Sequence, residues 1–107
     1  MSTDDKLRND KGEIAVLYSP QYGAGWFSWN EHVPDCLFDG DVARAVQAGD
    51  LAKAQQIAEA KWPNGYWGGA ETLRIEWMRP GSVFAVTEHD GNESIEWGPS
   101  DYNVVPA

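Results

Sequence analysis

The clearest pattern in the chain is an alternation of large apolar and polar side chains through its last third. Leu73, Ile75 and Trp77 alternate with Arg74, Glu76 and Met78, Phe84 and Val86 alternate along the next stretch, and Ile95 and Trp97 follow. Period-two patterning predicts three half-buried strands. Pro80-Gly81 separates the first two, with proline presetting φ and glycine supplying the positive φ of a type II turn. Asp90-Gly91 separates the second and third, a hairpin turn signal. The two turns imply the same rows: Trp77–Phe84–Trp97, Ile75–Val86–Ile95 and Leu73–Glu88–Glu93. A slip of one residue would move every large side chain to the other face. A three-stranded antiparallel meander is expected, its opposite face carrying Arg74, Glu76, Ala85, Thr87, Ser94 and Glu96 towards water.

Upstream, Ile14 to Tyr18 is a short apolar run suited to a buried strand, ended by Ser19-Pro20 because proline supplies no ladder donor. Asp39-Gly40-Asp41 precedes a short helix over 42–48, with an Asp cap and Gly49 at its end. Asp50 caps a second helix over 51–61, which Pro63 stops. Its apolar stripe of Leu51, Ala54, Ile57, Ala58 and Trp62 is the natural cover for the meander. Residues 1–12 are polar and are expected to be a flexible tail; residues 13–107 form a single α+β domain. That domain is expected to hold an antiparallel sheet, the meander plus an N-terminal strand, covered on one face by one or two short helices.

With 107 residues there is room for one core. Six Trp, four Tyr and three Phe enlarge it, and they favour flat ligands or partner surfaces. The formal charge of −9, from 17 acids and 8 bases, opposes direct binding of nucleic acid and of anionic membranes. No apolar run reaches the length of a membrane span. A single cysteine, Cys36, allows no internal disulfide, and the polar N-terminus carries no apolar signal segment, so a cytoplasmic setting is expected.

Two segments dense in glycine and rings stand out: residues 21–30, with Tyr22, Gly23, Gly25, Trp26 and Trp29, and residues 64–69, with Tyr66 and Trp67. Glycine-rich loops after a strand can cradle phosphate, but neither dinucleotide fingerprint nor P-loop is present. The glycines serve either tight turns around packed rings or a pocket lined by Tyr22, Trp26, Trp29, Tyr66 and Trp67. Beside them, Glu88 and Glu93 face each other across the expected sheet on its core side. Like charges there repel, and call for a buried Arg or Lys, a cation, a shared proton or simple solvation. With His89 and Asp90 nearby they are also a candidate acid–base pair. His32 and Cys36 are four apart, but Pro34 between them breaks a helix and no third group orients a nucleophile. No metal-ligand spacing is recognisable and no cofactor is expected.

The run Val16-Leu17-Tyr18-Ser19-Pro20, with Tyr22-Gly23-Ala24-Gly25-Trp26 and Trp29-Asn30, resembles a family of short phage and prophage proteins that open on such a strand and loop. Gly69-Ala70-Glu71-Thr72-Leu73 and Glu88-His89-Asp90-Gly91-Asn92-Glu93-Ser94-Ile95 match the same pattern. The resemblance covers residues 14–97 and implies a phage origin and a host-cytoplasm setting, without implying an activity. Together these features lead to an expected non-enzymatic accessory protein. It would bind a small, nucleotide-like ligand or a host protein through Tyr22, Gly23, Gly25, Trp26, Trp29, Tyr66, Trp67, Glu88 and Glu93, with counter-defence as a role by analogy. Two alternatives stand beside it: a hydrolase-like enzyme using Glu88 and Glu93, and an acidic decoy of a nucleic-acid-binding protein. Exposed aromatics are also compatible with a homodimer.

Overall fold

The computed structural model describes residues 6–21, 25–97 and 104–106. Along these the chain forms β1 (Ile14–Tyr18), α1 (Gly40–Gln47), α2 (Leu51–Lys61), β2 (Arg74–Met78), β3 (Val83–His89), β4 (Asn92–Trp97) and β5 (Val104–Pro106). Short 3-10 turns span Phe27–Trp29, Pro34–Leu37 and Gly68–Thr72. The class is α+β, with antiparallel strand pairs and short helices, as the patterning predicts.

The β3–β4 hairpin has the expected register: Phe84 opposite Trp97, Val86 opposite Ile95, Glu88 opposite Glu93. Asp90 and Gly91 both take positive φ, 51° and 87°, the signature of a type I′ turn whose twist matches that of the strands it joins. The Pro80-Gly81 turn also forms: Ser82 N–H donates to the Arg79 carbonyl at 3.1 Å, and Gly81 has φ 83°. Yet β2 does not pair with β3, and the three-stranded meander is corrected. A type II turn twists against the strands it connects and splays them apart. β2 pairs antiparallel with β1, so that Trp77 lies opposite Ala15 and Ile75 opposite Leu17. The third strand on β3 is β5, with Phe84 opposite Val105. Pro106 is tolerated there because β5 is an edge strand among the described residues.

The two sheets, β1-β2 and β4-β3-β5, meet at one seam. Pro20 bridges to Asn92, and the Glu93 N–H donates to the Ser19 carbonyl at 3.0 Å. Residues 6–12 are not the free tail that their polarity suggests. Leu7 accepts from Ala15 N–H at 2.9 Å, Arg8 bridges to Ile14, and Asn9 Oδ1 accepts from Glu13 N–H at 2.9 Å. Residues 1–5 lie outside the described residues.

α1 begins where Asp39 accepts from Val42 N–H at 3.0 Å. It ends in a Schellman motif: Gly49 at φ 79° donates to Val46, and Asp50 donates to Ala45. Asp50 then caps α2 by accepting from Lys53 N–H at 3.1 Å. α1 packs on β1 and β2, burying Val42, Ala43 and Ala45. α2 packs on α1 and on the 68–72 turn through Ala54 and Ala58, whose small side chains permit close approach. Leu51, Ile57 and Trp62 are only half-buried, and the stripe expected to cover the meander packs on α1 and the 68–72 turn instead. No described helix is long and apolar enough to cross a membrane.

Candidate functional site

Loop 25–30 begins seven residues beyond the end of β1 and folds over the turn end of the β3–β4 hairpin. What holds it there is Glu93, only 1% exposed. Its Oε1 accepts from Ser19 N–H at 2.8 Å. Its Oε2 accepts from Trp26 N–H at 2.8 Å, Ser28 N–H at 2.8 Å and the Ser28 hydroxyl at 2.7 Å. Four donors satisfy a buried carboxylate that would otherwise be expensive to desolvate. None of the offsets expected for a facing acid pair supplies this; backbone N–H groups and one hydroxyl do. With its acceptor sites taken, Glu93 acts as an internal staple rather than as half of an acid–base couple.

Asn30 joins this loop to the second glycine-aromatic loop. Its Nδ2 donates to the Trp26 and Tyr66 carbonyls, both at 2.6 Å, and its Oδ1 accepts from Tyr66 N–H at 2.7 Å. Ser19 ties in the 68–72 turn, its hydroxyl 2.6 Å from the Thr72 hydroxyl and 3.0 Å from the Gly69 carbonyl, to which it donates. The two loops therefore converge, as expected. Between them, however, Trp26 and Trp67 meet edge-on, with centroids 4.8 Å apart, and Trp62 lies 5.3 Å from Trp67. Both indole N–H groups of the inner pair are satisfied, Trp26 by the Cys36 carbonyl and Trp67 by the Trp62 carbonyl. Trp26 and Trp67, expected to line a pocket, are core residues.

The glycines are seats for these rings. A Cβ on Gly25 would come within 2.6 Å of the Trp29 ring, one on Gly65 within 2.3 Å of the Trp67 ring, and one on Gly68 within 2.6 Å of the Tyr66 hydroxyl. Gly25 thus lies beneath an indole. Tyr22 and Gly23 lie outside the described residues.

Outside the closed interior lies a second ring pair. Trp29 (40% exposed) and Tyr66 (45%) are the large hydrophobic side chains left at the surface among the described residues, and they touch each other with centroids 5.1 Å apart. Beside them the Trp29 indole N–H donates to Glu88 Oε2 at 3.2 Å. That oxygen also accepts from Gly91 N–H at 2.7 Å, while Oε1 accepts no hydrogen bond among the described residues. Glu88 and Glu93, opposite in the ladder, have separate fates: one turns outward beside an indole, the other inward beneath a loop.

Comparison with family models, with curated proteins and with solved structures returns no match. A cleft of about 260 Å³ opens at the sheet seam beside Tyr18, Glu76 and residues 92–95, and another of about 450 Å³ runs along α1 and α2 beside Arg44, Lys53 and Ile57. Neither of these two clefts is lined by Trp29, Tyr66 or Glu88. Cys36 is fully buried; burial first, and then the neighbouring Glu93 carboxylate, push its thiol far up, which keeps it protonated and poorly nucleophilic. Among the described residues no group of three or more His, Cys, Asp or Glu side chains is placed to hold a metal.

Asn30, Ser19 and Ser28 are the positioning residues that sequence reasoning passes over. Only Asn30, next to Trp29 in the motif, carries a signal: a short amide amid rings suggests a backbone bridge.

Proposed function

We propose that the chain is a non-enzymatic accessory protein of phage type that binds a partner protein through Trp29, Tyr66 and Glu88. The observation that carries this reading is the exposed Trp29–Tyr66 pair, mounted on a base fixed by Glu93 and Asn30. Trp and Tyr dominate binding hot spots because they bring large contact area with few rotatable bonds. A rigid base lowers the ordering cost of association. An exposed ring pair that lines neither of the two clefts suits a protein surface better than an enclosed small ligand, which usually needs a concave site. The resemblance of residues 14–97 to short phage and prophage proteins suggests that the partner belongs to a bacterial host, with counter-defence as the role by analogy.

The test compares capture of host proteins by the unaltered chain and by the Trp29→Ala/Tyr66→Ala double variant, each first checked for cooperative thermal unfolding. A partner retained by the former and lost by the latter is expected. A partner held equally by both would remove the patch from the reading. Saturable quenching of tryptophan fluorescence by a nucleotide would favour the small-ligand reading instead.

A further inference from the structure

Resting on that reading, we infer that the group which Trp29, Tyr66 and Glu88 receive is the guanidinium of an arginine presented by the partner protein. Three features of the patch favour a cation. The faces of aromatic rings carry negative potential, and the 55° tilt between the two rings keeps them from covering each other as a parallel stack would. Glu88 lies at the edge of the pair with Oε1 unoccupied among the described residues. The chain as a whole carries a formal charge of −9, which draws a basic surface in and repels a phosphate-bearing one. The same charge, together with Glu88 itself, opposes a second copy of this chain as the occupant.

Among cations, the patch suits arginine over lysine. Glu88 Oε2 already accepts two N–H groups, from Trp29 and Gly91. An incoming group therefore finds Oε1 the more open oxygen and gains the rest of its interaction from the rings. A guanidinium does both at once, laying its plane on an indole or phenol while an edge N–H reaches the carboxylate. An ammonium is a compact, strongly hydrated charge that gives up more water to lie on a ring. The Trp29 indole N–H bond to Glu88 also fixes the acid at the edge of the ring pair, where a stacked guanidinium would present its donors.

The Trp29 indole N–H resonance, identified by its absence in Trp29→Phe, reports directly on this contact. Short Gly/Ser peptides carrying one central arginine, lysine or citrulline, together with adenosine monophosphate, are titrated at low salt. The arginine peptide is expected to shift that resonance saturably and to bind about threefold to fivefold more tightly than the lysine peptide. Citrulline, which keeps the shape without the charge, and the nucleotide are expected to give no saturable shift. Glu88→Gln keeps an amide oxygen that can still accept from the Trp29 and Gly91 N–H groups, and it is expected to weaken the arginine peptide about fivefold or more. Equal binding of citrulline or lysine, saturation by the nucleotide, an unaltered response in Glu88→Gln, or a shift that appears on concentrating the protein alone would each overturn the assignment. If these arms fail while the partner is still lost on Trp29→Ala/Tyr66→Ala, the patch remains a binding surface and only the arginine falls. Retention of the partner by that double variant defeats the underlying reading.

Discussion

Ser28 and Glu93 lie 65 positions apart in the chain and share two hydrogen bonds: the backbone N–H and the hydroxyl of Ser28 both donate to Glu93 Oε2, at 2.8 and 2.7 Å. Through this contact the hairpin's second strand governs where the Trp29 loop sits. In Glu93→Gln, one carboxylate oxygen becomes an NH2 that must face an N–H donor, either Ser19 on one side or Trp26 and Ser28 on the other. The expected cost is about 2–4 kcal/mol of unfolding free energy. Glu88→Gln, whose side chain is exposed, is expected to stay within about 0.5 kcal/mol. Urea denaturation of the two variants decides the matter; similar midpoints for both would show that Glu93 is no staple.

The glycine seats separate stability from presentation. In Gly25→Ala the new Cβ meets the Trp29 ring, and since that ring is at the surface it can swing outward. Stability should fall by no more than about 1 kcal/mol, while the Trp29–Tyr66 contact is lost and the indole N–H to Glu88 with it. In Gly65→Ala the Cβ meets buried Trp67, which has nowhere to go, and the loss should reach about 2–3 kcal/mol. Near-ultraviolet circular dichroism for ring order, read beside denaturation midpoints, distinguishes the two; equal midpoints would contradict the seats.

The β3–β4 hairpin is legible in the sequence because Asp90-Gly91 encodes both positive φ angles of a type I′ turn, and register follows from turn geometry. Both helices are legible for the same local reason, with Asp39 and Asp50 as caps and Gly49 as the stop. The partner of β2 is not. Alternation along residues 73–78 says which side chains share a face, but not which strand lies alongside, and only the hand of the Pro80-Gly81 turn argues against β3. Convergence of the glycine-aromatic loops is legible in the surplus of rings. Their division into an interior pair, Trp26 and Trp67, and a surface pair, Trp29 and Tyr66, is not, because all four have the same local context of glycine and ring. The burial of Glu93 is hidden too, since three of its four donors are backbone N–H groups, which leave no mark in a sequence.

Asn30 has two carbonyls on its amide nitrogen and one N–H on its amide oxygen, so it fits only as an amide in this orientation. Asn30→Asp would place a carboxylate oxygen against the Trp26 and Tyr66 carbonyls, and at neutral pH should cost about 3 kcal/mol or more. Protonation would turn that oxygen into a donor, so the deficit should shrink on acidification. Hydrogen exchange at Tyr66 N–H should become fast in the variant at neutral pH. Preserved protection would mean that the two loops are joined by something other than this amide.

Lys61, at the end of α2, donates to Asp39 Oδ1 at 2.8 Å and Asp41 Oδ2 at 2.9 Å, at the start of α1. The hydrogen bond from Lys61 holds the Asp41 carboxyl below its ordinary 3.8. Burial acts to lower Lys61, but its bonds to Asp39 and Asp41 outweigh that and leave it above its ordinary 10.5. A carboxyl with a depressed folded value stabilises above its ordinary value and loses that contribution as pH falls through the folded one. An ammonium with a raised folded value stabilises below its ordinary value and loses that contribution as pH rises through the folded one. The clamp is therefore at full strength between about pH 5 and pH 9. Lys61 and Asp41 are 35% and 50% exposed, so solvent screening limits it to about 0.5–1 kcal/mol. Lys61→Met should lose that amount uniformly across the plateau, and the deficit should shrink below about pH 4 and in high salt. A deficit that persists undiminished in acid and in salt would assign the loss to side-chain packing at the helix ends, and the ion pairs would then have no share in holding α1 to α2.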